Sequence, residues 1–142
     1  MRAAKRTMDS VPNLFDERER LLFQDWPHTQ AAPDQNTVIG IPRVLSFWDT
    51  MPFWKTLLQA LGFTVRLSHA STRAIYEDGL SAVTSDTVCF PAKLIHGHLR
   101  DLRKQGVDRI FMPSVTTVPS ENTADTSQSM CAVVKGLSLI HI

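Results

Sequence analysis

A cysteine at the predicted start of a helix is the feature of this chain that most suggests chemistry. Cys89 lies two residues before Pro91, and the apolar spacing predicts a helix from Pro91 to about Gln105, with Gly106 behind it. Unpaired N–H groups and the positive end of the helix dipole favour negative charge there. The thiolate is the form of cysteine that binds metals or attacks electrophiles. The alternative interpretation is a small, inert, buried side chain, which is common for a free cysteine.

The same helix carries a row of cationic and imidazole side chains. Lys93, His96 and Arg100 follow one another at helical spacing, opposite an apolar seam formed by Ala92, Ile95, Leu99 and Leu102. These three residues are candidates for binding the phosphates of a cofactor. The alternative is an ordinary solvated helix face.

Gly97 separates two histidines within this helix. Because residues i and i+2 point apart on a helix, His96 and His98 cannot share a metal ion as an i, i+4 pair can. A glycine inside a helix costs about 1 kcal/mol relative to alanine. Gly97 therefore indicates the close approach of either a ligand or another element of the fold.

Cys131 is the second of only two cysteines, and its apolar neighbours, from Met130 to Val134, are typical of a core position. An iron–sulfur or zinc site normally has four protein ligands. Any such site must therefore be completed by other domains or subunits. The chain has no export signal, so we expect no disulfide between Cys89 and Cys131.

The elements around these residues alternate between strands and helices. Strands are predicted near 37–41, 63–67 and 107–112, each a short run rich in β-branched or apolar residues. A helix ending at Gly62 is expected to bury Phe53, Leu57, Ala60 and Leu61, and Ser71 is expected to cap a shorter one. This order predicts an α/β fold with a mostly parallel sheet, three-layered and Rossmann-like or flavodoxin-like, incomplete at its C-terminus.

The composition changes twice along the chain. Residues 1–36 resemble a connector, residues 37–136 form the α/β domain, and residues 137–142 resemble a translated sequencing adapter. We expect the first and last segments to pack little against the core, although 13–26 has the apolar residues of a short amphipathic helix.

The length, net charge and apolar runs of the chain argue against several classes of function. A chain of 142 residues with a net charge of +1 gives no electrostatic case for nucleic-acid or membrane binding, and no apolar run is long enough to span a bilayer. The absence of an export signal indicates a cytoplasmic protein. Neither the phosphate-loop pattern nor the dinucleotide fingerprint occurs, so no ATP site is expected here.

Four stretches together resemble a known family. They are IGIPRVL at 39–45 followed by Pro52-Phe53-Trp54, SDTVCFPAKLIHGH at 85–98, Gly106-Val107-Asp108 with IFMP at 110–113, and CAVVKG at 131–136. Their order is similar to that of the activase-related domain in the 2-hydroxyacyl-CoA dehydratase system, and the resemblance spans roughly residues 36–136. The stretch VPNLF at 11–15 is similar to the connector that precedes this domain in large members.

The resemblance implies a role in ATP-linked, low-potential electron transfer through iron–sulfur clusters in anaerobic metabolism. It makes Cys89 and Cys131 candidate ligands of a cluster, suspected to be of the 4Fe–4S type. It also implies upstream ATPase activase domains and downstream dehydratase-like domains or subunits as partners. Relatives often have a cysteine where this chain has Ser114, which leaves the local ligand set incomplete.

Two alternatives remain open from the sequence. One is a cluster-free module that binds acyl-CoA or another small molecule through Lys93, His96 and Arg100. The other is a structural spacer between catalytic domains. The sequence therefore leaves open whether the chain belongs to an enzyme, and we expect the piece alone to be inactive.

Overall fold

The chain forms an α/β fold in the computed structural model, which describes residues 12–34, 36–83, 88–122, 124 and 127–136. The elements follow the order α1, β1, α2, β2, α3, α4, β3, α5. Their bounds are α1 Leu14–Phe23, β1 Val38–Ile41, α2 Phe47–Ala60, β2 Thr64–Leu67, α3 Arg73–Gly79, α4 Phe90–Lys104, β3 Arg109–Ile110 and α5 Ala132–Gly136. A 3-10 turn, Leu80–Ala82, follows α3.

The sheet is parallel, and its strand order within the described residues is β2-β1-β3. Ile39 is paired with Val65 on one side and with Arg109 on the other. The predicted α/β class and parallel sheet are confirmed. The third strand is shorter than the predicted 107–112, since only Arg109–Ile110 pairs with β1.

Side chains of β1 alternate between the two faces of the sheet. Ile39 and Ile41 pack on the α2 side, in a cluster with Phe47, Met51 and Leu58. Gly40 faces α4, where an added Cβ would lie 2.9 Å from Val107 Cγ1 and 3.1 Å from Leu102. Glycine at this position therefore lets α4 approach the central strand closely.

The buried face of α2 differs from the prediction. The helix begins at Phe47 and buries Phe47, Met51 and Leu58. Phe53 is 59% exposed, and Leu57 and Leu61 are also exposed. Ser46 is the N-cap residue of α2. Because α2 is apolar on two sides, its periodicity could not reveal which side meets the sheet.

The connector packs against the domain more than its composition suggested. Phe23 of α1 joins the core and meets Trp48 edge-on, with ring centroids 4.9 Å apart. The Arg43 guanidinium lies 4.0 Å from the Phe23 ring centroid and pairs with Glu19. The prediction that residues 1–36 pack little therefore fails at Phe23, although α1 has no fully buried residue. Residues 1–11 and 137–142 lie outside the described residues.

Helices α3 and α4 meet at two glycines. A Cβ on Gly97 would lie 2.0 Å from the Ile75 carbonyl oxygen, and one on Gly79 would lie 2.4 Å from the Gly97 nitrogen. This contact confirms that Gly97 permits the approach of another helix. The predicted seam of α4 is also confirmed at Ala92, Ile95 and Leu102. In the part of the chain described here, no helix combines the length and apolar character needed to cross a membrane.

Candidate functional site

The carboxyl edge of the sheet is where the chain's connections diverge. From β1 the chain runs through α2 to β2 on one side, and later through α3 and α4 to β3 on the other. In open α/β sheets, ligands bind in the crevice at such a switch point. The loop after β1 reaches this edge with Leu45 in a left-handed conformation, at φ 52°. A non-glycine residue with positive φ is uncommon and stores backbone strain.

Cys89 lies at the N-cap position of α4 and is exposed to solvent. Its predicted placement at the helix start is confirmed. The alternative of a buried side chain is wrong for this residue. No side-chain capping hydrogen bond is formed by Cys89, and Pro91 occupies the first turn, where a missing N–H costs nothing.

Cys131 directly precedes α5 and is likewise exposed. The long loop after β3 returns toward the sheet through an antiparallel bridge between Thr117 and Ser129. Val133 of α5 then packs against Val44, Ala92 and Ile95, which we call the Val44 cluster. Val88, the neighbour of Cys89, contacts the same cluster. The segments that carry the two cysteines therefore pack against the same part of the core.

Ser114 is the position at which the family resemblance suggested a further cysteine. Its hydroxyl donates to the Lys135 carbonyl, with the two oxygens 2.5 Å apart. It thereby ties the loop after β3 to the end of α5. A small cavity beside it, lined by Val44, Pro113 and Val134 among others, has a volume of about 20 Å³. That volume holds about one water molecule and no organic cofactor.

Lys93, His96 and Arg100 do not form one open cationic face. Lys93 is half-buried, and His96 is only 7% exposed. Arg100 is exposed but donates to the Asp78 carbonyl at 2.6 Å and to Ser81 Oγ at 2.8 Å. The guanidinium therefore already ties α4 to the end of α3.

A buried histidine with two serine partners was missed by the sequence analysis. His98 is fully buried, with Nδ1 2.7 Å from Ser68 Oγ and Nε2 2.9 Å from Ser71 Oγ. Burial lowers its pKa from 6.5 to about 4, the Asp101 carboxylate opposes that change, and Arg43 adds to it. Thr72 is the residue that caps α3, so the predicted capping role of Ser71 is wrong. Only the fold brings these side chains together, from α4 and from the loop between β2 and α3.

Beside His98, hydrogen bonds between Asp101 and His69 tie α4 to the end of β2. Burial raises the pKa of Asp101, but hydrogen bonds from the His69 ring and backbone, and from Gln105, lower it below its usual value. The His69 Nδ1 to Asp101 Oδ1 distance is 2.9 Å. This contact fixes the segment between Ser68 and Ser71 over α4.

The fold and site define a parallel α/β domain with two exposed cysteines on segments near the carboxyl edge of its sheet. Residues 38–140 match the family described as the CoA enzyme activase uncharacterised domain. The match covers more than half of the chain, so the chain belongs to this family, and the predicted activase relationship is confirmed. Comparison with curated proteins and with solved structures finds no match.

Proposed function

We propose that this domain supplies Cys89 and Cys131 as two ligands of an iron–sulfur cluster in a CoA enzyme activase system. The observation that carries the proposal is the exposure of both thiols on segments that pack against the Val44 cluster. Exposed thiols can reach a cluster held between domains, whereas buried core cysteines cannot.

The donor chemistry fits such a cluster only in part. Thiolates are the usual ligands of iron–sulfur clusters, and a 4Fe–4S cluster takes four of them. The chain has two cysteines, and the described residues contain no group of three or more metal-ligating side chains. The proposal therefore requires further ligands from ATPase activase domains, dehydratase-like domains or another subunit. A bound cluster would supply one-electron transfer at low potential, while this chain holds and positions it.

Anaerobic reconstitution of the full chain with ferrous iron and sulfide tests this proposal. Bound iron, bound sulfide and the visible absorption spectrum are measured with and without the candidate partner domains. Cys89→Ser and Cys131→Ser are each expected to lose most of the bound iron. Because both side chains are exposed, the folded state should keep its circular dichroism spectrum and unfolding midpoint. Unchanged iron in both variants would refute the proposal.

Ser114→Cys provides a complementary gain-of-ligand variant. The Ser114 side chain lies beside α5, and Cys131 directly precedes this helix. A thiolate added there is expected to raise the iron retained per chain. Ser127→Ala is the matched control, since Ser127 is an exposed serine whose side-chain oxygen accepts a hydrogen bond from the nearby Ser129 amide. Equal iron in Ser114→Cys and the control would place the cluster away from this edge.

A further inference from the structure

A groove lies between α3 and the start of α4, next to the segment that carries Cys89. Its volume is about 560 Å³, within the range of small-molecule sites. The walls are largely apolar, from Tyr76, Leu80, Phe90 and Leu94, and the rings of Tyr76 and Phe90 lie 5.0 Å apart. Phe90 is 58% exposed. Ser71 also lines the groove.

A chain of hydrogen bonds leads from the buried core to Ser71. The Arg43 backbone N–H donates to Ser68 Oγ at 2.9 Å. Ser68 is only 2% exposed, so its own hydroxyl proton needs a buried acceptor. His98 Nδ1, 2.7 Å away, is the acceptor within reach. This assignment leaves Nδ1 without a proton.

The direction of the chain then follows from the charge of His98. A fully buried imidazole is neutral at neutral pH, and a pKa of about 4 agrees with this state. The single ring proton therefore lies on Nε2, which donates to Ser71 Oγ at 2.9 Å. The Ser71 hydroxyl proton remains available to an acceptor in the groove. Successive hydrogen bonds polarise one another, which strengthens this terminal donor.

We propose that the groove binds a small, uncharged, largely apolar molecule whose carbonyl oxygen accepts a hydrogen bond from Ser71. The apolar body of the ligand packs between Tyr76, Leu80 and Phe90. Arg73 and Glu77 at the rim form an ion pair with atoms 2.7 Å apart, so the rim favours neither sign of charge. The proposal concerns different residues from the cysteine proposal, and either can fail alone.

Two probes of similar shape test the proposal with the full chain. Acetophenone carries a carbonyl, and cumene replaces it with an apolar branch. Titration followed by ¹H–¹⁵N NMR is expected to shift the amides of Tyr76, Leu80, Phe90 and Leu94. Loss of one neutral hydrogen bond weakens binding roughly two- to tenfold, so Ser71→Ala should weaken acetophenone by that factor and leave cumene unchanged.

Ser81→Ala is the matched control, because Ser81 is an exposed serine whose hydroxyl meets Arg100 rather than a histidine. It should leave the affinity for both probes unchanged. If acetophenone fails to shift the groove amides, or if Ser71→Ala weakens both probes equally, the binding site is refuted.

The direction of the hydrogen-bond chain has its own test in the free protein. Imidazole ¹⁵N shifts distinguish the two neutral tautomers of a histidine. At neutral pH, His98 is expected to carry its proton on Nε2. A proton on Nδ1 would overturn the inference, since Ser71 would then donate to His98 and offer no proton to a ligand.

Discussion

Replacing Gly97 with alanine tests how α3 and α4 are held together. The new Cβ would lie 2.0 Å from the Ile75 carbonyl oxygen and 2.8 Å from its carbon. Ordinary carbon–oxygen contacts begin near about 3.3 Å, so α3 must recede by roughly an ångström. The obstacle is backbone on both sides, and no side-chain rotation can relieve it.

The magnitude follows from two opposing effects. Alanine gains up to about 1 kcal/mol over glycine inside a helix. Overpacking costs about 1–3 kcal/mol, with the upper end expected where backbone must move. We therefore expect Gly97→Ala to lower the free energy of unfolding by about 2 kcal/mol, and Tm by about 5–10 °C for a chain of this length.

Urea unfolding followed by circular dichroism measures this change. Gly136→Ala is the matched control, because Gly136 also lies in a helix and no residue that the structure describes approaches its Cβ position within 4 Å. It should leave stability within about 0.5 kcal/mol. A Gly97→Ala variant as stable as the wild type would show that α3 does not pack against α4 as described.

Three further predictions concern the core. The pKa of His98 falls to about 4 on folding, so between about pH 6.5 and pH 4 this histidine binds a proton in the unfolded chain but not in the folded one. Acidification over this window should therefore lower the free energy of unfolding by up to roughly 3 kcal/mol. Urea titrations of wild type and His98→Asn measure this, and equal pH slopes would exclude His98 as the cause. Met51→Ala should lower the free energy of unfolding by about 2–5 kcal/mol and Phe53→Ala by less than about 1 kcal/mol, because Met51 is buried and Phe53 is exposed. Equal losses of stability in thermal unfolding would contradict the buried face assigned to α2. Arg43→Ala should lower the free energy of unfolding by about 1–3 kcal/mol and speed amide hydrogen exchange in α1, because the substitution removes the contacts to Phe23 and Glu19. Unchanged exchange in α1 would mean that other contacts hold this helix against the domain.

The local sequence pattern was sufficient for features that depend on a single helix or strand. Pro91 and the seam of Ala92, Ile95 and Leu102 predicted where α4 begins and which side it buries, so the position of Cys89 at its start followed directly. Alternation of short strands with helices predicted the parallel sheet. Pattern was insufficient for α2, where both Phe53 and Met51 lie on apolar rows and only contact with the sheet distinguishes them.

The sequence by itself determined the fold class, the family resemblance and the position of Cys89, because these depend on residues close together in the chain. Tertiary structure decided which residues face solvent and which meet. It exposed both cysteines, paired Arg100 with the end of α3, and placed Ser68 and Ser71 on either side of His98. The physical reason is that exposure and hydrogen bonding depend on partners about 20–40 residues away, which helical or strand periodicity does not encode.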